Sequence, residues 1–171
     1  LGRIFNIPLS KVNVHRVPIG GAFGSSIQMN TPVAICVALA LKAQKPVKLV
    51  LTREEDMYDH CKYPTIIRLK YGVKRDGTLT AVRAELTGDA GAYASLSTKV
   101  LERATTHASG PYQVPHVQID CYALYTNNPP AGAFRGFGAP QALFAAELKA
   151  EPRTSRQGDD PPVRLPIPGG T

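Results

Sequence analysis

Two apolar segments have the length and the flanking residues of helices. The first, VAICVALALKA, is apolar on almost every side, follows Thr31 and Pro32, and stops before Pro46. Threonine and proline favour the start of a helix, and apolar residues all round indicate burial. We therefore expect a buried helix over residues 32–43. An alanine-rich segment predicts another helix over residues 141–150, with Pro140 near its first turn.

A shorter helix is predicted after residue 52. Thr52 and Glu55 have the spacing of a capping box, in which each side chain accepts a hydrogen bond from the other residue's amide. The acidic triplet Glu54, Glu55 and Asp56 is open to interpretation as a metal or acid-base cluster. We favour the simpler interpretation, in which the helix dipole stabilises these first-turn carboxylates. Residues 96–107 also have mixed helical character.

Alternation of apolar and polar residues predicts a β-hairpin over residues 65–86. The Asp76-Gly77 pair is expected to supply the positive φ angles of its turn. Runs rich in β-branched residues predict further strands over residues 12–17 and 47–52. Residues 114–126 also have strand character, interrupted early by Pro115. The apolar face of the hairpin is formed by Ile67, Leu69, Tyr71 and Val73.

The mixture of these elements indicates an α+β or mixed α/β fold. Apolar residues make up 43% of the 171 residues, which is enough for one compact domain with a core. We expect that domain to cover residues 1–150. The following segment, 151–171, contains five of the 15 prolines and no apolar periodicity, so we expect a disordered or polyproline-II tail.

Composition limits the classes of partner. The net charge is +7, but the basic residues are spread singly, without the runs or interleaved aromatics typical of nucleic-acid binding. The longest apolar stretch is about half the length of a membrane span, so we expect a soluble protein. Three separated cysteines favour reduced thiols in a cytoplasmic protein. The chain begins at Leu1 without a leader, and we expect that it has been cut or processed.

Two glycine-rich loops, GGAFG at residues 20–24 and AFRGFGAPQ at residues 133–141, each precede a predicted helix. Glycine lets the backbone approach a ligand, and amides at a helix N-terminus favour anions. Neither loop has the spacing of a nucleotide-binding fingerprint. A single such loop is more often a tight turn, but a pair that each include phenylalanine favours an anionic-ligand site.

These loops resemble those of the molybdenum hydroxylases, the xanthine dehydrogenase and aldehyde oxidase family. GGAFG is similar to the family's GGGFG, and AFRGFGAPQ to its AFRGFGxPQ. The segments KPVKLVLTREEDM, GAYAS and LERATTHASGPYQVP follow the family's order between them. The resemblance covers about residues 1–150 and implies part of the first molybdopterin-binding domain of the large subunit.

The resemblance implies cofactor-binding positions in both loops. Phe23, flanked by Gly21 and Gly24, would lie close to the molybdenum, with loop amides contacting the pyranopterin. Arg135, next to Gly136, would present its backbone amide near the metal. No residue of this chain is implied as a direct metal ligand.

The resemblance also implies three substrate-binding positions. Phe137 corresponds to the aromatic residue that packs against the substrate ring, and Arg103 to the arginine that steadies developing negative charge. Ile27 stands where many xanthine oxidisers have a glutamate, which leaves purines, other N-heteroaromatics such as nicotinate, and aldehydes as candidate substrates. Without the resemblance, Arg103 would be interpreted as a surface helix residue. His107 follows it by one helical turn and would be a neighbouring contact, or otherwise a solvated or packed histidine.

The family's catalytic base, a glutamate in a GxGE segment, lies beyond the end of this chain, and the glutamine that bonds the metal's oxo group lies before Leu1. The chain is therefore expected to contain no catalytic residue of its own. The implied cofactor is molybdopterin, in a cytosine dinucleotide form if the protein is bacterial. The implied partners are the remainder of the subunit, 2Fe-2S and FAD groups on other domains or subunits, and a small-molecule substrate.

Two other classes of function stay open from the sequence. One is a truncated, catalytically inactive relative, which the absent base and the unusual tail favour. The other is an anion-binding fold without turnover, in which the two loops hold a phosphate-bearing ligand without molybdenum. The intact second loop favours the enzyme.

Overall fold

A computed structural model describes residues 1–27, 29, 31–150 and 163–164. The chain divides into two compact units, Leu1–Asp59 and His60–Thr171. Most of the predicted tail, residues 151–171, lies outside the described residues. Within the described part of the chain, no helix is both long and apolar enough to cross a membrane.

The first unit is formed by short helices and loops. Its helices are α1 (Gly2–Phe5), α2 (Thr31–Ala43) and α3 (Arg53–Asp59), with a 3-10 turn over Leu9–Lys11. Helix α2 confirms the predicted apolar helix. Helix α3 confirms the capping box, because the Thr52 amide donates to Glu55 Oε2 at 2.7 Å and the Glu55 amide donates to Thr52 Oγ1 at 3.2 Å. The acidic triplet lies in the first turn of α3, as the dipole interpretation expects.

Three expectations for this unit are wrong. Residues 12–17 and 47–52 form no strand, since strand pairing needs a neighbouring backbone edge and neither run lies against one in the described unit. Helix α2 contains no buried residue, and Ile35 is 46% exposed. The apolar sequence predicts where the helix begins and ends, but burial also needs other elements packed around it. The loops of this unit cover only part of the helix surface.

The second unit is built around a β-sheet with helices on one face. The described strands form a four-stranded sheet in the order β4-β3-β2-β6 and a separate parallel pair, β1 with β5. Strands β2 and β3 are antiparallel, whereas β3 and β4 are parallel and are joined by helix α4. The mixed α+β class is thereby confirmed. The elements are β1 (Cys61–Lys62), β2 (Thr65–Val73), β3 (Leu79–Gly91), α4 (Ser97–His107), β4 (His116–Tyr125), β5 (Ala131–Gly132), α5 (Ala139–Ala150) and β6 (Val163–Arg164).

The hairpin of β2 and β3 confirms the predicted alternation, with Ile67 opposite Leu86. Its turn differs from the expectation in one respect. Gly77 alone of the Asp76-Gly77 pair has a positive φ, of 86°. Asp76 instead uses its side chain, because Oδ1 accepts a hydrogen bond from the Thr78 amide at 2.9 Å. One left-handed residue is therefore sufficient to close this turn.

The core lies between one face of the sheet and helices α4 and α5. Ile67, Ala84 and Leu86 supply the sheet side and are at most 2% exposed. The helices meet them through small side chains, which let the backbones approach closely and leave little room for change in volume. The small residues on the helix side are Ala104, Ala108, Ala142 and Ala145.

An aspartate ties the end of the sheet to the segment that leads into the second glycine loop. Asp89 Oδ1 accepts hydrogen bonds from Thr126 Oγ1 at 2.6 Å and from the Gly91 amide at 2.8 Å, and Oδ2 accepts one from the Asn128 amide group. Burial raises the pKa of Asp89, but the hydrogen bonds from Thr126, Asn128 and Gly91 outweigh it and leave that pKa below its ordinary value. The ionised carboxylate therefore holds the start of the 127–130 loop in place.

We expect Asp89→Asn to destabilise the chain by about 1 to 2 kcal/mol at neutral pH, because an amide cannot accept all three hydrogen bonds. A lowered pKa in the folded state means that this stability is present above about pH 4 and is lost as the pH falls through the folded pKa. Urea unfolding of both proteins between pH 7 and pH 2.5 measures the effect, and the difference between them should shrink towards the acid end. A constant difference across the range would contradict a role for the charge. Thr126→Val, which removes one donor, should produce part of the loss.

Candidate active site

The first glycine loop, in the first unit, is a tight turn that presents two apolar side chains. Ser25 closes it, since both its amide and its hydroxyl donate to the Ala22 carbonyl, at 2.9 and 2.8 Å. Gly21 and Gly24 have φ angles of 133° and 119°. The predicted cofactor residue Phe23 is 63% exposed, and Ile27 is 60% exposed. The loop therefore exposes a phenyl ring, and its glycines leave the backbone accessible to a ligand.

The second glycine loop, in the second unit, is also a turn, held firmly where it begins. Ala133 is fully buried, and its carbonyl lies 3.1 Å from His60 Nε2. The Phe137 amide donates to the Phe134 carbonyl at 2.7 Å, so that Arg135 and Gly136 lie at the exposed tip. The Lys62 ammonium stands 5.4 Å from the centre of the Phe134 ring, within the range of a cation–π interaction.

The end of the second loop is anchored on helix α4 and on Tyr63, which precedes β2. A Cβ atom at Gly138 would collide with the Val100 carbonyl of α4. At the start of α5, Gln141 is 3% exposed, and its Nε2 donates to the Tyr63 carbonyl at 3.1 Å. These anchors explain why glycine and glutamine close the AFRGFGAPQ segment: both residues position the loop.

The two loops share an unusual backbone conformation. Phe23 and Phe137 both adopt a left-handed conformation, with φ angles of 50° and 53°. A positive φ is uncommon for any residue with a Cβ atom and costs roughly 1 kcal/mol or more, and such strain clusters at functional sites. In each glycine loop, the phenylalanine noticed in the sequence is therefore a residue with a strained backbone.

An open groove of about 520 Å³ in the second unit brings together two of the predicted substrate residues. Arg103 comes from an exposed face of α4, and Phe137 from the second loop, half-buried against the core. They meet because the close contact at Gly138 sets the loop directly on α4. The remaining residues of the groove are Lys99, Glu102, Thr106 and His107.

The groove has a positive balance of charge. Lys99 and Glu102 neutralise each other in a salt bridge with 2.8 Å between Nζ and Oε2. Arg103 forms no salt bridge with any residue that the structure describes. An aromatic ring beside an unpaired guanidinium suits a flat ligand that carries, or develops, negative charge.

The two cysteines of the second unit have the properties of inert thiols. Burial raises the pKa of Cys61, and the charge of Asp89 raises it further. Burial likewise raises the pKa of Cys121, although hydrogen bonds from Thr105 and Tyr122 partly offset it. Because the thiolate is the reactive form, neither residue is suited to nucleophilic chemistry.

The site residues predicted from the sequence fall into the two units. Arg103, Arg135, Gly136 and Phe137 belong to the second unit, where Arg103 and Phe137 line the same groove. The residues of the first unit are Gly21, Phe23, Gly24 and Ile27. The anchoring contacts of Gly138 and Gln141 were not anticipated. Among the other groove residues, His107 was expected from its position one helical turn after Arg103, and the same helical spacing was the signal that could have identified Lys99 and Thr106.

The sequence profile of the molybdopterin cofactor-binding domain matches residues 1–150. The chain is 42% identical, over 91% of its length, to the nicotinate dehydrogenase large molybdopterin subunit of Eubacterium barkeri, of which it covers 36%. It is 39% identical, over 94% of its length, to a probable xanthine dehydrogenase subunit of Bacillus subtilis, of which it covers 22%. The chain therefore spans about a third or less of these relatives.

The chain is also similar in structure to parts of two solved enzymes. The CO dehydrogenase from Oligotropha carboxidovorans superimposes with a TM-score of 0.72 and 25% identity, over 87% of this chain and 19% of that one. The aldehyde oxidoreductase from Desulfovibrio gigas superimposes with a TM-score of 0.64 and 27% identity, over 78% of this chain and 15% of that one.

Proposed function

The chain belongs to the molybdopterin cofactor-binding domain family of the xanthine dehydrogenase type, and on that premise we propose that it forms one wall of a molybdenum hydroxylase active site. The reaction is the hydroxylation of an N-heteroaromatic ring or an aldehyde. Water supplies the oxygen, a C–H bond of the substrate is replaced by C–OH, and two electrons and two protons are released.

The two loops support the binding of molybdopterin. In the second loop, the exposed tip at Arg135 and Gly136 immediately precedes α5, so a ligand there meets backbone donors and the positive end of a helix dipole. The Arg135 and Lys62 side chains give this region the positive charge that a phosphate-bearing pterin requires. In the first loop, Gly21, Phe23 and Gly24 would offer a backbone with little side-chain obstruction. When bound, the molybdenum of this cofactor supplies the two-electron redox chemistry.

The observation that carries the substrate proposal is the shared groove of Arg103 and Phe137. Phe137 would stack on a flat ring, and the Arg103 guanidinium would stabilise the negative charge that builds up when an electron-poor carbon is attacked. The relatedness to a nicotinate dehydrogenase subunit supports an N-heteroaromatic substrate. Ile27, in the first loop, is apolar, which keeps aldehydes as well as N-heteroaromatic rings among the candidate substrates.

We propose that other domains or subunits supply the remaining parts of the reaction. The base that activates water would be the family's glutamate, contributed by the rest of the molybdopterin subunit. Electrons would leave through 2Fe-2S and FAD groups on other domains or subunits, and the cofactor would take the cytosine dinucleotide form in a bacterial protein. We place the assembly in the cytoplasm, where reduced thiols are the ordinary state of cysteine.

Metal and pterin analysis tests this proposal directly. The natural protein that contains this chain and the 171-residue chain alone would each be purified from a host supplied with molybdate. We expect molybdenum and pterin in the natural protein, with dye reduction by an N-heteroaromatic or aldehyde substrate, and no stable metal in the chain alone. A natural protein with metal and pterin but no turnover would support an inactive relative. Absence of both from the natural protein, with stabilisation by phosphate, would support the anion-binding alternative.

A further inference from the structure

His60 lies immediately before strand β1 and contacts the backbone that leads into the second loop. Strand β1 pairs with β5 in parallel, with Cys61 opposite Ala131. This pairing brings the partly buried His60 ring against residues 132–133, directly before the loop turns towards its exposed tip. A side chain far away in sequence thus contacts the start of the loop.

The His60 ring makes a hydrogen bond whose direction is fixed. Its Nε2 atom lies 3.1 Å from the Ala133 carbonyl, and a carbonyl oxygen only accepts, so Nε2 is the donor in both the neutral and the charged ring. Ala133 is fully buried. Removing the ring would take this donor from a carbonyl that is shielded from water, which costs more than losing an exposed hydrogen bond.

Gly132 leaves the space that this ring occupies. Its φ angle is not positive, so its backbone conformation does not require glycine. A Cβ atom at this position would collide with Cε1 of His60, whereas Ser95 Oγ would lie 3.2 Å away. The glycine is therefore required by the histidine ring, and the two residues form one structural unit.

We propose that His60 is a positioning residue for the second glycine loop, in which the Nε2–H group fixes the point where the loop leaves β5. Through that point it sets the positions of the Arg135 amide and the Phe137 ring. The inference rests on the proposed function for the role of this loop in binding cofactor and substrate. His60 acts through the loop backbone and is given no contact with either ligand.

The loop is short and fixed at both ends, which makes its position sensitive to one anchor. Only residues 134–137 separate Ala133, held by His60, from Gly138, packed against α4. Within them, the left-handed backbone of Phe137 is strained, and such strain persists only where the surroundings hold it. Releasing the first anchor should let this turn relax while the core between the sheet and the helices stays folded.

Amide hydrogen exchange of the 171-residue chain, followed by NMR, tests this local effect without molybdenum. The Phe137 amide, which donates to the Phe134 carbonyl at 2.7 Å, reports on the turn. We expect His60→Ala to accelerate its exchange about tenfold, the effect of one hydrogen bond, and to leave the amides of the central strand β3 unchanged. His60→Gln places an amide donor near the position of Nε2 and should retain most of the protection. His116→Ala, on the exposed end of β4, is the matched control and should leave Phe137 unchanged.

A double-mutant cycle tests whether the glycine and the histidine act together. Gly132→Ala alone should displace the His60 ring and accelerate exchange at Phe137 about as much as His60→Ala does. In the His60→Ala background the added methyl group meets no ring, so Gly132→Ala should then have little further effect. Additive effects would mean that the two residues act independently and would contradict the proposed anchor.

The molybdenum-loaded natural protein provides a second measurement. His60→Ala should lower kcat/KM about tenfold, because reacting groups must be held in place, and His60→Gln should restore most of it. Unchanged exchange at Phe137 in His60→Ala would overturn the inference, and so would no rescue by His60→Gln. Equal acceleration in β3, or failure of His60→Ala to fold, would show a general structural role and would also overturn it. Absence of molybdenum and pterin from the natural protein would contradict the proposed function, while the exchange measurements would still decide whether His60 holds the loop.

Discussion

Replacing Gly138 by alanine is expected to destabilise the chain by about 3 kcal/mol, the sum of a strained backbone and an overpacked contact. Gly138 has a φ of 95°, which L-residues with a Cβ atom rarely adopt. The added methyl group would also strike the Val100 carbonyl, part of the α4 backbone, which cannot move without breaking its own helix. The second loop would have to separate from α4, and Arg103 and Phe137 would separate with it.

Thermal and urea unfolding of the 171-residue chain measure this effect. The matched control is Gly77→Ala in the hairpin turn, where φ is 86° and no heavy atom apart from the glycine and its two chain neighbours lies within 4 Å of the added Cβ. That variant introduces the backbone strain without the collision, and its free energy of unfolding should fall by only about 1 kcal/mol. Equal losses at the two positions would mean that the contact with Val100 contributes nothing, and the proposed anchoring of the loop would be wrong.

Arg103→Gln is expected to lower kcat/KM of the molybdenum-loaded natural protein for an N-heteroaromatic substrate by about 100-fold, the usual cost of removing one donor that stabilises charge in a transition state. The loss should fall mainly on kcat, because the charge on the ring develops during attack. An aldehyde develops its charge on a different atom and should be affected less. Steady-state kinetics with both substrates would measure the difference.

Arg68→Gln is the matched control for this change. Arg68 pairs with Glu85 at 2.6 Å, with both side chains about half-exposed, and such pairs contribute little to stability. It lies outside the groove, so its loss removes the same charge without altering the site. If Arg68→Gln and Arg103→Gln reduced activity equally, the effect would be one of net charge, and Arg103 would have no specific role.

Local signals in the sequence were sufficient for several elements. The capping box of α3 and the hairpin of β2 and β3 depend on residues close together in the chain, whose preferences act before any tertiary contact forms. The two glycine loops were also visible, because phenylalanine among glycines is rare enough to be noticed. The turn at residues 74–78 was predicted in place, although only Gly77 needed the positive φ.

The sequence could not show which of its β-prone runs would find a partner strand. Residues 47–52 have as much β-branched character as β4, yet only β4 forms a strand, because β3 is available beside it in the parallel arrangement that α4 makes possible. Burial of α2 failed as a prediction for the same reason. The apolar side chains of a helix are buried only where another element packs against them. Which element packs there is decided by the fold and cannot be inferred from the composition of the helix.

By itself, the sequence determined the family and the helical and hairpin segments, and it named Arg103 and Phe137 as candidate substrate residues. The tertiary structure alone placed Arg103 beside Phe137, which is 34 positions away in the chain. That proximity follows from the glycine contact at Val100 and the small side chains between α4, α5 and the sheet. It also turned His107 Nδ1 towards the Arg103 carbonyl. Such contacts depend on how closely two backbones approach each other. That distance is set by the packing of side chains in the folded protein, and the spacing of residues along the chain does not predict it.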